Sequence, residues 1–171
     1  IALQVLPPGM LVQHAEMLSP PRVEQGATAR LPQWFADRTG GEEMAASIAE
    51  AQRLLPEREE GRVLLLAENY GEAGALELFG PRYGLPPVLS PHNTYYLWSA
   101  EHDEAQTYIA IGLPEEELRR VFGEVTPAGV HRCTYCMDYE NDLTIYVCRD
   151  ARTPFRDWWP AMKWYGGARK S

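Results

Sequence analysis

The sequence predicts an α/β fold: a three-layer α/β/α sandwich with a mostly parallel central sheet and an antiparallel pair near the C-terminus. Three observations predict it. Val63 to Ala67 is apolar at every position, as a strand covered on both faces must be. Strand-like and helix-like segments alternate from Arg62 to Phe122, the order that builds parallel sheets. Val125 to Thr134 and Leu143 to Arg149 are strand-like runs separated by the turn residues Glu140, Asn141 and Asp142, which is a hairpin pattern.

Bulk properties narrow the class. A chain of 171 residues is long enough for one compact domain and too short for two ordinary ones, so residues 1–171 are read as a single domain. A 45% hydrophobic share with 23% charged residues is that of a folded chain rather than a disordered one. The formal charge of −8 argues against nucleic acid as a partner, because phosphates call for a basic face. No run approaches the roughly 20 apolar residues of a membrane-spanning helix, and no signal-peptide pattern is present. By composition alone, Ile1 to Leu6 reads as an edge strand or a buried N-terminal segment.

The elements follow in order. After Pro7 and Pro8, the residues Met10, Leu11, His14, Met17 and Leu18 recur at helical spacing until Pro20 and Pro21 stop the helix. Arg22 to Ala29 has no periodicity and reads as loop. Thr39 is placed to cap a helix over Gly41 to Leu55, with Glu42 and Glu43 in its first turn and an apolar face of Met44, Ala45, Ile48, Ala49, Ala51, Leu54 and Leu55. Glu57 to Gly61 makes a surface turn into the Val63 to Ala67 strand, and a helix over Gly71 to Phe79 ends at Gly80-Pro81. Pro86 to Ser90 and Thr107 to Ile111 read as further strands, and Tyr95 to Trp98 as a half-buried edge strand. Pro114 opens a helix that continues to Phe122. Thr153-Pro154 opens the last helix, whose Trp158, Trp159 and Trp164 cannot share one face, so one of them must cover a seam or be exposed. Residues 166–171 read as a flexible tail.

Three groups of residues invite chemistry. Glu68, Asn69 and Tyr70 end the apolar strand, and the amides from Gly71 to Ala73 head a helix where a phosphate or carboxylate could sit. Against that, Gly71-x-x-Gly74 is not the three-glycine dinucleotide pattern, and Glu72 occupies the place of the anion. The plainer reading is that Glu72 complements the helix dipole while the glycines permit close helix-to-sheet contact. His92, Asn93, Tyr95, Tyr96 and Trp98 could wall a pocket for a sugar or peptide, and a nucleophile-base pair would join Ser90 or Cys136 to His92. No local motif supports that pair. Cys133-Thr134-Tyr135-Cys136 has the spacing of a metal knuckle or redox pair, with His131 and Cys148 as conceivable further ligands. The preferred reading makes Cys133, Cys136 and Cys148 small buried residues on neighbouring strands and assigns no metal.

Four segments carry a resemblance: LPQWFADRTGGEEM (31–44), ENYGEAGALELFG (68–80), YGLPPVLSPHNTYYLW (83–98) and CRDARTPFRDWWPAMKWY (148–165). Together, over almost the whole chain, they resemble the soluble C-terminal domain of bacterial membrane glycosyltransferases of the dolichyl-phosphate-mannose-protein mannosyltransferase type, of the GT-C class. The resemblance implies a parent enzyme that moves a sugar from a polyprenyl-phosphate donor, using an acidic pair in its membrane part. It therefore implies no catalytic residue in this chain and no cofactor. Residues 1–8 become the remnant of the linker from the last transmembrane helix. The domain is expected on the extracytoplasmic side of the cell membrane, as in the related lipid A aminoarabinose transferases. Its expected partners are the transmembrane domain of the same polypeptide and a glycan or lipid-linked acceptor. The motif positions imply a common patch of Asn69, Tyr70, Gly71, Glu72, His92, Asn93 and Tyr96 that docks on the membrane domain or touches the acceptor. The rival expectation is a free-standing α/β binding protein or hydrolase with a pocket around Glu72 and His92.

Overall fold

The structure, a computed structural model, describes residues 6–18, 29–59, 61–99 and 105–166. The readings of 1–5, of most of the 22–29 loop and of the tail beyond Gly166 lie outside these residues, as do the side chains of His14, Met17 and Leu18.

Five strands form one mixed sheet in the order β2-β1-β3-β5-β4, from β1 (Val63–Ala67), β2 (Val88–Leu89), β3 (Thr107–Ile111), β4 (Phe122–His131) and β5 (Leu143–Ala151). β1 is an interior strand that pairs in parallel with β2 and β3, and its uniformly apolar sequence suits burial on both faces. β5 lies antiparallel between β3 and β4. β4 is an edge strand, which is why it tolerates Pro127 and a register shift between Pro127 and Gly129.

Seven α-helices accompany the sheet among the described residues: α1 (Pro8–Leu18), α2 (Gln33–Ala36), α3 (Gly41–Arg53), α4 (Tyr70–Phe79), α5 (Tyr95–Trp98), α6 (Glu115–Val121) and α7 (Phe155–Met162). Alternate strand residues feed two cores. Leu64, Leu66, Tyr108, Ala110 and Cys148 pack with Leu118 of α6 and with Phe155, Trp158, Trp159 and Met162 of α7. Leu65, Ala67, Ile109, Ile111 and Ile145 pack with Met44, Ala45, Ile48 and Ala51 of α3 and with Ala73 and Leu76 of α4. A third, smaller core joins Leu11, Leu31, Phe35 and Ala36 to Met137.

Four expectations are corrected. Tyr95 to Trp98 is a helical turn, not an edge strand; Tyr95 enters one core while Tyr96 packs against the other. Leu54 is not part of the apolar face of α3: the helix ends at Arg53 and Leu54 is 71% exposed. Thr39 does not cap α3, whose N-cap is Gly40 in the left-handed region (φ 90°); its hydroxyl donates to the Ala36 carbonyl at 3.0 Å and finishes α2 instead. The glycines of α4 do not mediate close packing, since a Cβ at Gly74 would meet nothing within 4 Å. It is Gly41 whose Cβ would press Ala75 and Phe79 at 3.0 Å, so the glycine-dependent contact is between α3 and α4.

One polar network ties the turn before β1 to the far strands. Glu59 accepts from Arg149 Nε at 3.1 and 3.2 Å and from the Thr107 hydroxyl at 2.8 Å, while Arg149 Nη1 donates to Glu124 at 2.9 Å. The Glu59 side chain is 13% exposed and that of Glu124 54%. Glu59→Ala would leave the buried Thr107 hydroxyl without its acceptor and Arg149 with Glu124 alone, and is expected to cost about 2–3 kcal/mol in urea unfolding, whereas Glu124→Ala, at a solvated pair, should cost under about 1 kcal/mol.

Candidate functional site

The carboxyl ends of β1 and β2 form a corner built by three pieces of chain. β1 delivers Glu68 and Asn69 to the start of α4. Asn69, in extended conformation, is the N-cap: its Oδ1 accepts the amides of Gly71 at 2.9 Å and Glu72 at 3.0 Å. Glu72 closes the capping box by accepting the Glu68 amide at 2.8 Å and the Asn69 amide at 3.4 Å on Oε2. With the Ala73 amide on the Asn69 carbonyl at 3.1 Å and the Tyr70 amide directed at His92 Nδ1 at 3.5 Å, all four first amides of α4 are engaged. The anion cradle considered from the sequence is therefore filled by the protein's own groups.

Glu72 is 3% exposed, and Gly112, with φ 78°, lies over its carboxyl group. Burial first, then the neighbouring Glu68 charge, push its acid up to about 8, with the Asn69 and Glu68 amides opposing the rise.

β2 delivers Ser90 and His92. The His92 ring is 5% exposed and stacks on Trp164 at 3.8 Å with an interplanar angle of 3°. Its Nε2–H donates to the Gly166 carbonyl at 2.9 Å, which leaves Nδ1 as the acceptor facing the Tyr70 amide. Ser90 Oγ does not touch that ring; it donates to the Glu68 carbonyl at 3.4 Å and accepts the His92 amide at 3.3 Å. Cys136 is bonded to Cys133. Neither residue thus supplies a nucleophile paired with the His92 ring.

The third piece is the chain after α7, which no sequence signal tied to this corner. Trp164 leaves the helix and forms a parallel bridge with His92: the Trp164 amide donates to the Pro91 carbonyl at 3.2 Å and the Asn93 amide to the Trp164 carbonyl at 2.9 Å. Asn93, at φ 53°, accepts the Gly166 amide on Oδ1 at 3.3 Å. Trp164 is the tryptophan that covers the seam, while Trp158 and Trp159 are core.

Of the seven patch residues, Asn69, Tyr70, Gly71, Glu72, His92 and Asn93 are thus joined through this corner. Tyr96 points elsewhere, stacked on Trp159 at 5.4 Å, but the Lys163 ammonium lies 4.7 Å from its ring and 5.2 Å from that of Tyr165, so the same C-terminal strap passes over it. Glu72 and His92 lie beneath the surface; the ring offered to solvent is that of Tyr70, 57% exposed and 4.9 Å from the His92 ring. A separate cavity of about 350 Å³ opens between Tyr108, Arg152, Phe155 and Trp158, away from these residues.

The cysteine expectation is corrected as well. Cys133 and Cys136 lie in the connection between β4 and β5 and form a disulfide with each other, and only Cys148 is a buried strand residue. Among the described residues no group of three or more His, Cys, Asp or Glu is arranged to hold a metal ion, and no helix is long and apolar enough to cross a membrane.

Comparison with known proteins gave no match: no family model, no curated protein and no solved structure is significantly similar to this chain.

Proposed function

We propose that this chain is the C-terminal extramembrane domain of a bacterial membrane glycosyltransferase that draws sugar from a polyprenyl-phosphate donor. In this reading the corner at the ends of β1 and β2 docks on the membrane-embedded part of the same polypeptide or contacts the glycan or lipid-linked acceptor. The observation that carries it is the meeting of two of the resembling segments, 68–80 and 83–98, at one corner with Tyr70 turned outward. The buried pair Glu72 and His92 then shapes the corner from below, and Tyr70 makes the contact. The hydrolase alternative needs Glu72 and His92 to meet a ligand, and at 3% and 5% exposure they are poorly placed to do so. For the fold we adopt the three-layer α/β/α sandwich, supported by the two cores on alternate strand residues.

The test uses the full-length protein. Its reading frame upstream of Ile1 should encode several hydrophobic segments, and Tyr70→Ala should lower sugar transfer about tenfold or more, as loss of an aromatic contact anchor does. Leu54→Ala, an exposed apolar site outside the corner, should leave transfer unchanged. Wild-type transfer from Tyr70→Ala, or a frame without hydrophobic segments, would sink the reading.

A further inference from the structure

We propose that Cys133–Cys136 is a thiol–disulfide exchange site whose reduction by a dithiol releases the N-terminal helices α1 and α2 from the rest of the fold. The proposal does not rest on the glycosyltransferase reading. Two cysteines three residues apart close a very small ring, so the bond contributes little as a staple compared with one that spans a long loop. Its two ends differ in access: Cys133 is half-buried and Cys136 buried, so an incoming thiolate meets the Cys133 sulfur. The start of α3 lies against the pair, since a Cβ on Gly40 would sit 2.9 Å from Cys136 Cβ and 3.3 Å from Cys133 Sγ. The positive end of that 13-residue helix favours the departing thiolate, an effect partly offset by Glu42 and Glu43 in its first turn.

The exchange balances. The reductant's thiolate bonds to Cys133 Sγ, the Sγ–Sγ bond breaks, and Cys136 leaves as thiolate and takes up a proton. The reductant's second thiol then attacks its own sulfur in the mixed disulfide, releasing Cys133 as a thiol and leaving the reductant oxidised to a disulfide. Cys148 does not compete, being fully buried with its thiol pushed up to about 12 by that burial.

The consequence follows from what flanks the pair. Met137, next to Cys136, is the residue of this connection in the small core of Leu11, Leu31, Phe35 and Ala36, and it bridges Ala29. Tyr135, inside the ring, carries Arg30 over its face at 5.5 Å and sets its hydroxyl 3.3 Å from where a Gly9 Cβ would lie. The segment closed by the disulfide is thus the platform on which α1 and α2 rest. Just before it, His131 is fully buried with neither ring nitrogen hydrogen-bonded among the described residues, a cost the closed loop leaves uncompensated.

The experiment treats the native protein with dithiothreitol while free thiols are counted and amide exchange is followed. Two thiols should appear without denaturant, with Cys148 reacting only after unfolding. Amides of α1 and α2 should exchange up to about 20-fold faster, the factor a four-residue ring closure supplies, while β1, β3 and β5 lose no more than that factor and stay the slowest amides to exchange. A Cys133→Ser/Cys136→Ser double variant should show the fast N-terminal exchange with no reductant present. Thiols that stay silent until denaturant is added, or N-terminal amides unchanged on reduction or in the double variant, would overturn the proposal.

Discussion

Gly112→Ala is expected to be among the most damaging single-methyl substitutions in the domain, costing about 2–5 kcal/mol of stability. Two costs combine. Gly112 sits at φ 78°, which costs an alanine about 1–2 kcal/mol. Its Cβ would also lie 2.5 and 2.6 Å from the two Glu72 carboxyl oxygens and 2.8 Å from Glu68 Cβ, and overpacking of a filled site costs about 1–3 kcal/mol. The Glu72 side chain cannot swing away cheaply, because its Oε2 is fixed by the Glu68 amide at 2.8 Å. Two controls separate the contributions. Gly84 has φ 67° with nothing within 4 Å of a Cβ, so Gly84→Ala isolates the backbone cost; Gly74→Ala, in open space on α4, should stabilise by about 0.5–1 kcal/mol. Urea unfolding of the three variants decides the matter: a Gly112→Ala cost no larger than that of Gly84→Ala would mean that Gly112 does not press on Glu72.

The close contact at Gly112 also marks where sequence reasoning stops. β1 was legible because an unbroken apolar run bounded by polar residues leaves few alternatives, and the β4–β5 pair because two strand-like runs flank the turn residues Glu140, Asn141 and Asp142. Even the capping box had a local signature, Asn69 followed three residues later by Glu72, although Glu72 was assigned only to the helix dipole. Tyr95 to Trp98 was not legible as a helix, since four residues cannot separate a period of two from one of 3.6. The contributions of Gly112, Trp164 and Gly166 to the corner were invisible for a different reason: Gly112 lies 40 residues from Glu72, and Trp164 and Gly166 lie more than 70 from His92, so each meets its partner only through tertiary packing. The seven patch residues came from the resemblance. What sequence could not say was which of them lie beneath the surface, and that inverts the roles of Tyr70 and His92.

Replacing Glu72 by glutamine should make the domain more stable at pH 8 while leaving it nearly unchanged at pH 4.5. An ordinary glutamate, as in the unfolded chain, ionises near 4.5, whereas buried Glu72 holds its proton to about 8. Below pH 4.5 both states are protonated and the acid contributes its full stability. Between the two values the unfolded chain has released a proton that the native state still binds, so stability falls by up to about 1.4 kcal/mol per pH unit. Above pH 8 both states are ionised and the loss is complete. Glutamine keeps a carbonyl oxygen for the Glu68 amide and cannot ionise, so the stability difference between Glu72→Gln and wild type should open progressively from pH 4.5 to 8 in favour of the variant. Titrating groups not coupled to Glu72 cancel in that difference. Burial is the leading cause of the shift, so the effect should persist in high salt, whereas the smaller share due to Glu68 and Glu140 should be screened. A difference that stays flat across this range would show that Glu72 is ionised in the native state at neutral pH, its charge held by the capping-box amides rather than suppressed by burial.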